Sequence, residues 1–191
     1  MNKSSVASLA CLAALVLPAY AAAEVHEVLD YDHYEAHAQA GHPLATALNE
    51  ASPFRPNGQV FHSATAWYLD WRIGPQPTTD GRCRVGEVHI ELHGQMMLPR
   101  LVGGSAWQQE RFDSYLLRLR EHELGHYEIG REAARQLERQ FYALPPMRNC
   151  SDLQTAARGA GARLLPKYEA MGDAYDQQTQ HGKTQGAWLT D

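Results

Sequence analysis

Residues 119–129 of the chain read Leu-Arg-Glu-His-Glu-Leu-Gly-His-Tyr-Glu-Ile. The leucine and isoleucine at the two ends belong to the apolar side of a predicted helix, and His122 and His126 fall between them. Residues four apart on a helix lie one turn above each other, so both imidazole rings point the same way and can reach one ion. Glu123 lies one step round the helix, near enough to touch a water molecule on that ion.

The spacing His-Glu-x-x-His is typical of a helix that supplies two zinc ligands and a general base. Buried imidazoles need partners, and a single metal ion would satisfy both rings. The alternative is a pair of ordinary helix histidines that are hydrogen-bonded to neighbouring side chains. We therefore expect His122 and His126 to bind Zn2+ and Glu123 to act as the catalytic base.

This segment lies within a long helical region. Ser105-Ala106-Trp107-Gln108 fits a capping box, which satisfies free N–H groups at a helix start, and Leu144-Pro145-Pro146 ends the apolar stripe. The pattern leaves open whether one helix or two fill this interval. A second helix is predicted to begin at Ser151-Asp152-Leu153-Gln154, which also fits a capping box. Its apolar positions at helical spacing are Leu153, Ala157, Ala160, Leu164, Tyr168, Met171 and Tyr175.

Two strands are predicted upstream of the helices, at residues 64–73 and 85–92. Apolar residues occupy every second position in both segments, as in half-buried strands. Residues 96–98 are expected to continue the sheet until Pro99 stops it, whereas residues 24–58 give no clear element. The sequence thus predicts an α+β fold with a small antiparallel sheet packed on a long helix, plus a second C-terminal helix.

The first 23 residues have the pattern of a signal peptide. Lys3 precedes the short apolar run Val6–Leu17, and Ala19-Tyr20-Ala21 and Ala21-Ala22-Ala23 both suit signal peptidase. The apolar run is shorter than the roughly 20 residues that span a bilayer. We expect residues 1–23 to be removed, residues 24–191 to form one domain, and the protein to be exported to the periplasm or secreted.

The net charge and the cysteine content limit which kinds of partner and which cellular compartment we expect for this protein. The net charge of −5 and the lack of a Lys/Arg run argue against binding to nucleic acid and to an anionic membrane surface. No long apolar segment follows the run Val6–Leu17, so we expect no stable membrane insertion of the mature chain. Cys83 and Cys150 remain after the predicted cleavage, and an even pair in an exported protein predicts one disulfide. The alternative is two buried free thiols.

A catalytic zinc site needs a third protein ligand and leaves its fourth position to water. Three downstream residues are candidates: His181 after the second helix, Asp176 on that helix, and Glu169, which lies four residues before an aspartate. A phenol could help to stabilise an oxyanion, and Tyr175 and Tyr127 are the candidates for this role. Spacing alone does not choose among them.

The C-terminal segment resembles a bacterial family. The stretch Tyr175-Asp176-Gln177-Gln178-Thr179-Gln180-His181-Gly182, followed by Gln185-Gly186, is similar to the signature of the domain-of-unknown-function 922 family. Thr65-Ala66-Trp67, the Cys83 segment that ends at Leu98-Pro99, and residues 122–126 follow in the expected order, so the resemblance spans roughly residues 58–188. Members of this family are regarded as candidate secreted zinc-dependent proteases. The resemblance implies a zincin-like fold, and it favours His181 as the third ligand.

Together these features predict an exported zinc metallopeptidase that acts on peptide or protein substrates. Glu123 would take a proton from the attacking water and pass it to the leaving amine. Two alternatives remain open from the sequence. One is a zinc-binding or interaction module without turnover, and the other is an amidase that acts on a non-protein amide, such as one in the cell wall.

Overall fold

The computed structural model describes residues 25–189, and the predicted signal peptide at residues 1–23 lies outside this range. Among the described residues, no helix combines the length and the apolar character that crossing a membrane requires. Two short 3-10 turns accompany the main elements, at Pro56–Gly58 and Lys183–Gln185. In chain order the main elements are β1 (Val25–Ala38), α1 (Leu44–Ala51), β2 (Ala64–Pro77), β3 (Cys83–Gly103), α2 (Ala106–Tyr142) and α3 (Cys150–Thr179).

The three strands form one sheet with β3 in the middle. β2 runs antiparallel to β3, as expected, and places Trp67 opposite Gly94. β1 runs parallel to β3 and places Leu29 opposite the same glycine. The α+β single-domain prediction is confirmed, but the sheet is mixed rather than wholly antiparallel. The additional strand β1 and the helix α1 both lie in the region that gave no clear element. β1 shows no alternation in the sequence because polar residues lie on both of its faces.

Two element boundaries differ from the sequence-based expectation. β3 continues through Pro99 to Gly103, where proline is tolerated because the pairing with β2 already ends at Met97. α3 begins at Cys150 rather than after a cap at Ser151. Its N-cap is Asn149, whose side chain accepts a hydrogen bond of 2.8 Å from the backbone N–H of Asp152. The capping box at the start of α2 is present as predicted, and α2 is a single helix.

Both long helices pack on the same face of the sheet, and two tryptophans of β2 fit against helix glycines. A Cβ atom at Gly130 of α2 would lie 2.8 Å from the Trp67 ring, and one at Gly161 of α3 would lie 2.7 Å from the Trp71 ring. The glycines therefore let the helices approach the sheet closely. The fully buried residues of this core include Ile90, Leu92, Leu137 and Phe141.

The predicted disulfide is present between Cys83 and Cys150, whose Cα atoms are 5.1 Å apart. It joins the start of β3 to the start of α3. Cys83 also exchanges two backbone hydrogen bonds with Met147, of 2.9 and 2.8 Å. The bridge therefore fixes where α3 begins relative to the sheet.

Two glycines of α3 allow a matched test of this packing. We expect Gly161→Ala to lower the free energy of unfolding, because an overpacking penalty of about 1–3 kcal/mol against Trp71 exceeds the roughly 1 kcal/mol gained in helix propensity. Gly159→Ala should stabilise the protein, because the added methyl would meet only the flexible end of Arg163 at 3.1 Å. Urea unfolding of both variants measures the difference, and equal effects would contradict the packing described here.

Candidate metal centre

The two histidines of α2 meet an aspartate from the last turn of α3. His122 and His126 lie one turn apart, and their Nε2 atoms are 3.2 and 3.0 Å from Oδ1 of Asp176. Ligand atoms of these three residues all lie within 4.8 Å of one another. Across residues 25–189 this is the single group of three or more His, Cys, Asp or Glu side chains that could hold a metal ion.

The chemistry and spacing of this group fit zinc. Tetrahedral zinc binds nitrogen and oxygen at about 2.0–2.2 Å, so its ligand atoms lie roughly 3.3 Å apart. The two nitrogen–oxygen separations of 3.0 and 3.2 Å are hydrogen bonds here, and they are close enough to that value for an ion to replace the bonding protons with little movement. His122 is 4% exposed, so the site is shielded from solvent on the side of α2. His122, His126 and Asp176 are therefore able to hold one metal ion together.

The charges of the cluster support one another. Burial alone would raise the pKa of the Asp176 carboxyl, but hydrogen bonds from His122 and His126 and the nearby positive charge of the imidazoles hold it well below its usual range. Burial would lower the pKa of His122, yet its bonds to Asp176 and Gln185 outweigh this effect and raise it. Both pKa shifts are those expected when an ionised aspartate stabilises positively charged imidazole rings.

His181, the third ligand that the family resemblance favours, lies at the edge of the cluster. Its Nδ1 atom is 3.5 Å from Oδ1 of Asp176, and its side chain is 41% exposed. The ring packs on Phe61 with centroids 4.6 Å apart. Gln180 and His181 both have left-handed backbone angles, at φ values of 52° and 51°, and this turn brings the ring back toward α3. Glu169, the remaining candidate, is exposed and lies about 10 Å earlier along the helix.

Neither candidate tyrosine has its hydroxyl free toward the cluster. Tyr175 stacks on the His122 ring, with centroids 5.1 Å apart and planes inclined by 12°. Its hydroxyl donates to the backbone oxygen of His122 at 3.2 Å and accepts from the Gln185 amide at 2.9 Å. Tyr127 lies on the other side of α2, where its ring packs against Gly94 of the sheet. Tyr175 therefore packs against His122 and helps to position its ring, and Tyr127 belongs to the core.

Glu123 occupies an unusual position for a carboxylate. It is 4% exposed, and its Oε1 atom accepts a hydrogen bond from the Ser63 hydroxyl at the start of β2. Its Oε2 atom is buried and has no hydrogen-bond partner among residues 25–189. A buried acceptor without a partner costs about 1–3 kcal/mol, so its presence requires an explanation, and a catalytic role is one such explanation. Oε2 is thus available to accept a proton.

The segment that carries Ser63 is held in place by its neighbour His62. The Nδ1 and Nε2 atoms of His62 lie 2.7 Å from the Tyr115 hydroxyl and 2.9 Å from Oδ1 of Asn49. The Tyr34 hydroxyl donates to the backbone oxygen of His62 at 2.8 Å. These contacts tie the residues before β2 to β1, α1 and α2, and so they fix the hydroxyl that meets Glu123.

Ser63 and Gln185 both touch the site, and neither was assigned a role in it from the sequence. Ser63 precedes β2 without any helical or strand pattern of its own. Gln185 was part of the segment that resembles the family, which was the available signal for it. Asp176 was found by its position on the predicted second helix.

The comparison with known sequences agrees with the resemblance drawn from the motifs. The sequence profile of the domain-of-unknown-function 922 family, described as a bacterial protein of unknown function, matches residues 31–182. The chain belongs to this family. The matched region contains the three clustered residues and His181, whereas Gln185 lies beyond its end. No curated protein and no solved structure gives a significant match.

We expect His62 to make the fold sensitive to mild acid. Burial lowers its pKa from 6.5 to about 4, so between these values the unfolded chain takes up a proton that the folded protein excludes. The contribution to stability is therefore full above pH 6.5 and is lost as the pH falls toward 4, by at most about 3 kcal/mol. Urea unfolding at about pH 7 and about pH 4.5 should show a smaller loss in His62→Gln than in the wild type.

His89→Gln is the matched control for this measurement, because His89 is exposed on the outer face of the sheet. It should keep the wild-type loss of stability. An unchanged loss in His62→Gln would show that another group carries the acid sensitivity.

Proposed function

We propose that this protein is an exported zinc-dependent metallopeptidase that hydrolyses peptide bonds with Glu123 as general base. One observation carries the proposal: the buried, unpartnered Oε2 atom of Glu123 lies one residue from a ligand of a zinc-compatible cluster. A histidine pair that only stabilised the helix would not require an acidic neighbour held in this way. The predicted signal peptide at residues 1–23 and the disulfide both support export.

We assign His122, His126 and Asp176 as the residues that would hold the ion, with His181 as the competing third ligand. When bound, zinc supplies Lewis acidity that activates water and polarises a carbonyl group. The chain's own contribution begins with Ser63, which donates a hydrogen bond to one oxygen of Glu123 and leaves the other oxygen to act as the base. Glu123 then accepts that proton from the attacking water and delivers it to the leaving amine.

Burial of the site favours a second candidate function. His122 and Glu123 are each only 4% exposed, whereas the side chains of His126 and Asp176 are 15% and 28% exposed, so the cluster is only partly open to a substrate. A zinc-binding module without turnover would need no such opening. The Oε2 atom of Glu123 argues against this alternative, because a purely structural site does not require a buried carboxylate oxygen without a hydrogen-bond partner.

The role of Glu123 is tested by Glu123→Gln. The amide keeps the shape of the side chain but cannot take the proton, so we expect peptide hydrolysis to fall by about 10²–10⁴-fold with zinc content unchanged. Cleavage of a peptide library, read by mass spectrometry, and elemental analysis measure the two quantities. Glu128→Gln is the control, because Glu128 is exposed on the same helix and pairs with Arg131.

Two outcomes of this experiment would count against the proposal. Full activity in Glu123→Gln would remove Glu123 from the reaction. Zinc binding by the wild type, without cleavage of any peptide, would favour the module without turnover.

The third ligand is tested by the zinc content of Asp176→Asn and His181→Ala. Because Asp176 is the residue grouped with both helix histidines, we expect the first variant to retain much less than the about one zinc per chain of a three-ligand site. His181→Ala should keep its zinc, as should the control Glu169→Ala. The reverse result, with zinc lost only in His181→Ala, would assign the third ligand to His181.

A further inference from the structure

The chain beyond α3 returns to the back of the metal centre. After the left-handed residues Gln180 and His181, Gly182 lies against His122, and a Cβ atom there would be 3.0 Å from the imidazole ring. The short turn Lys183–Gln185 follows, and Ala187 is buried in the core beyond it. This path places the side chain of Gln185 beside His122, on the side of the ring away from Asp176.

Hydrogen bonds join Gln185, Tyr175 and His122 into a closed ring. Nδ1 of His122 lies 2.9 Å from Oε1 of Gln185, whose Nε2 group donates to the Tyr175 hydroxyl at 2.9 Å. The Tyr175 hydroxyl in turn donates to the backbone oxygen of His122 at 3.2 Å. The Tyr175 hydroxyl also lies 3.3 Å from Oε1 of Gln185, so its proton can be donated to either oxygen, while Nδ1 of His122 faces the amide oxygen in both cases.

The contact with Gln185 determines the tautomer of His122. An amide oxygen only accepts hydrogen bonds, so Nδ1 of His122 must carry the hydrogen. Nε2 donates to Asp176 at 3.2 Å, so it is the nitrogen that would give up its proton and bind the ion through its lone pair. A partner on the second ring nitrogen sets the orientation of a metal-binding histidine and increases its basicity.

We propose that Gln185 is a positioning residue that holds His122 in the tautomer and orientation required for metal binding. This inference rests on the proposed zinc site and adds a residue from outside both ligand-bearing helices. The amide acts through His122 and is not one of the three residues that would hold the ion. Its effect is therefore on the affinity and the release rate of zinc.

We expect the tail to stay docked without the Gln185 amide, so the role can be separated from folding. Ala187 is buried in a second core cluster that includes Phe112 and Leu119, and Leu189 packs against this cluster. Tyr175 also contacts His122 through ring stacking, which does not need the amide. Gln185→Leu keeps a side chain of similar size and removes both hydrogen bonds. Gln185→Glu keeps an acceptor for Nδ1 and makes it stronger, because a charged acceptor forms the stronger hydrogen bond.

The experiment measures the zinc dissociation constant of the full mature chain by competition with a chelator, together with the rate of zinc release. We expect Gln185→Leu to bind zinc about 10–100-fold more weakly, as is typical when such a partner is removed. Gln185→Glu should bind at least as tightly as the wild type. Gln178→Leu, at an exposed position of α3, is the matched control and should leave the affinity unchanged.

The melting temperatures of the zinc-free variants identify any general loss of structure. Weaker binding in Gln185→Leu, restored in Gln185→Glu at equal zinc-free melting temperature, supports the positioning role. Wild-type affinity in Gln185→Leu would overturn it while leaving the zinc site intact. A wild-type chain that binds no zinc would overturn both this inference and the proposed function.

Discussion

The contact of one Asp176 oxygen with the imidazoles of His122 and His126 is the interaction around which the two long helices are arranged. Burying a carboxylate or an imidazole ring without a partner costs free energy, whereas the carboxylate and the two rings stabilise each other when they are in contact. The helices must therefore approach closely where these three side chains meet. Gly125 allows this approach, because any Cβ atom there would overlap the Tyr175 ring. The glycine inside the histidine motif is therefore a requirement of helix packing.

Much of the fold follows from local sequence signals. The capping box at Ser105 and the change of apolar period from two to 3.6 identify α2 and the antiparallel pair of β2 and β3. β1 could not be found in this way, because its stability comes from parallel pairing with a strand more than 60 residues away rather than from its own pattern. The prediction that Pro99 ends the sheet was wrong for a similar reason, because a strand tolerates proline only where no neighbouring strand needs its N–H group.

The candidate site was predictable only in part. Helix geometry alone brings His122 and His126 together, because both lie on one element. The choice between Asp176 and His181 depends on where α3 ends and on the left-handed turn that follows, and apolar spacing indicates neither. Ser63 reaches the site from a segment that is remote in sequence and without regular pattern, so only tertiary structure reveals it.

The disulfide between Cys83 and Cys150 encloses all of α2 in a covalent loop. A single break of the backbone anywhere in residues 84–149 leaves two fragments that stay joined through the bridge. The connections at both ends of α2, at Gly103-Gly104 and residues 143–149, are largely exposed and are the accessible places for such a cut. A chain cut there by a protease would keep both helices of the candidate metal centre in one molecule.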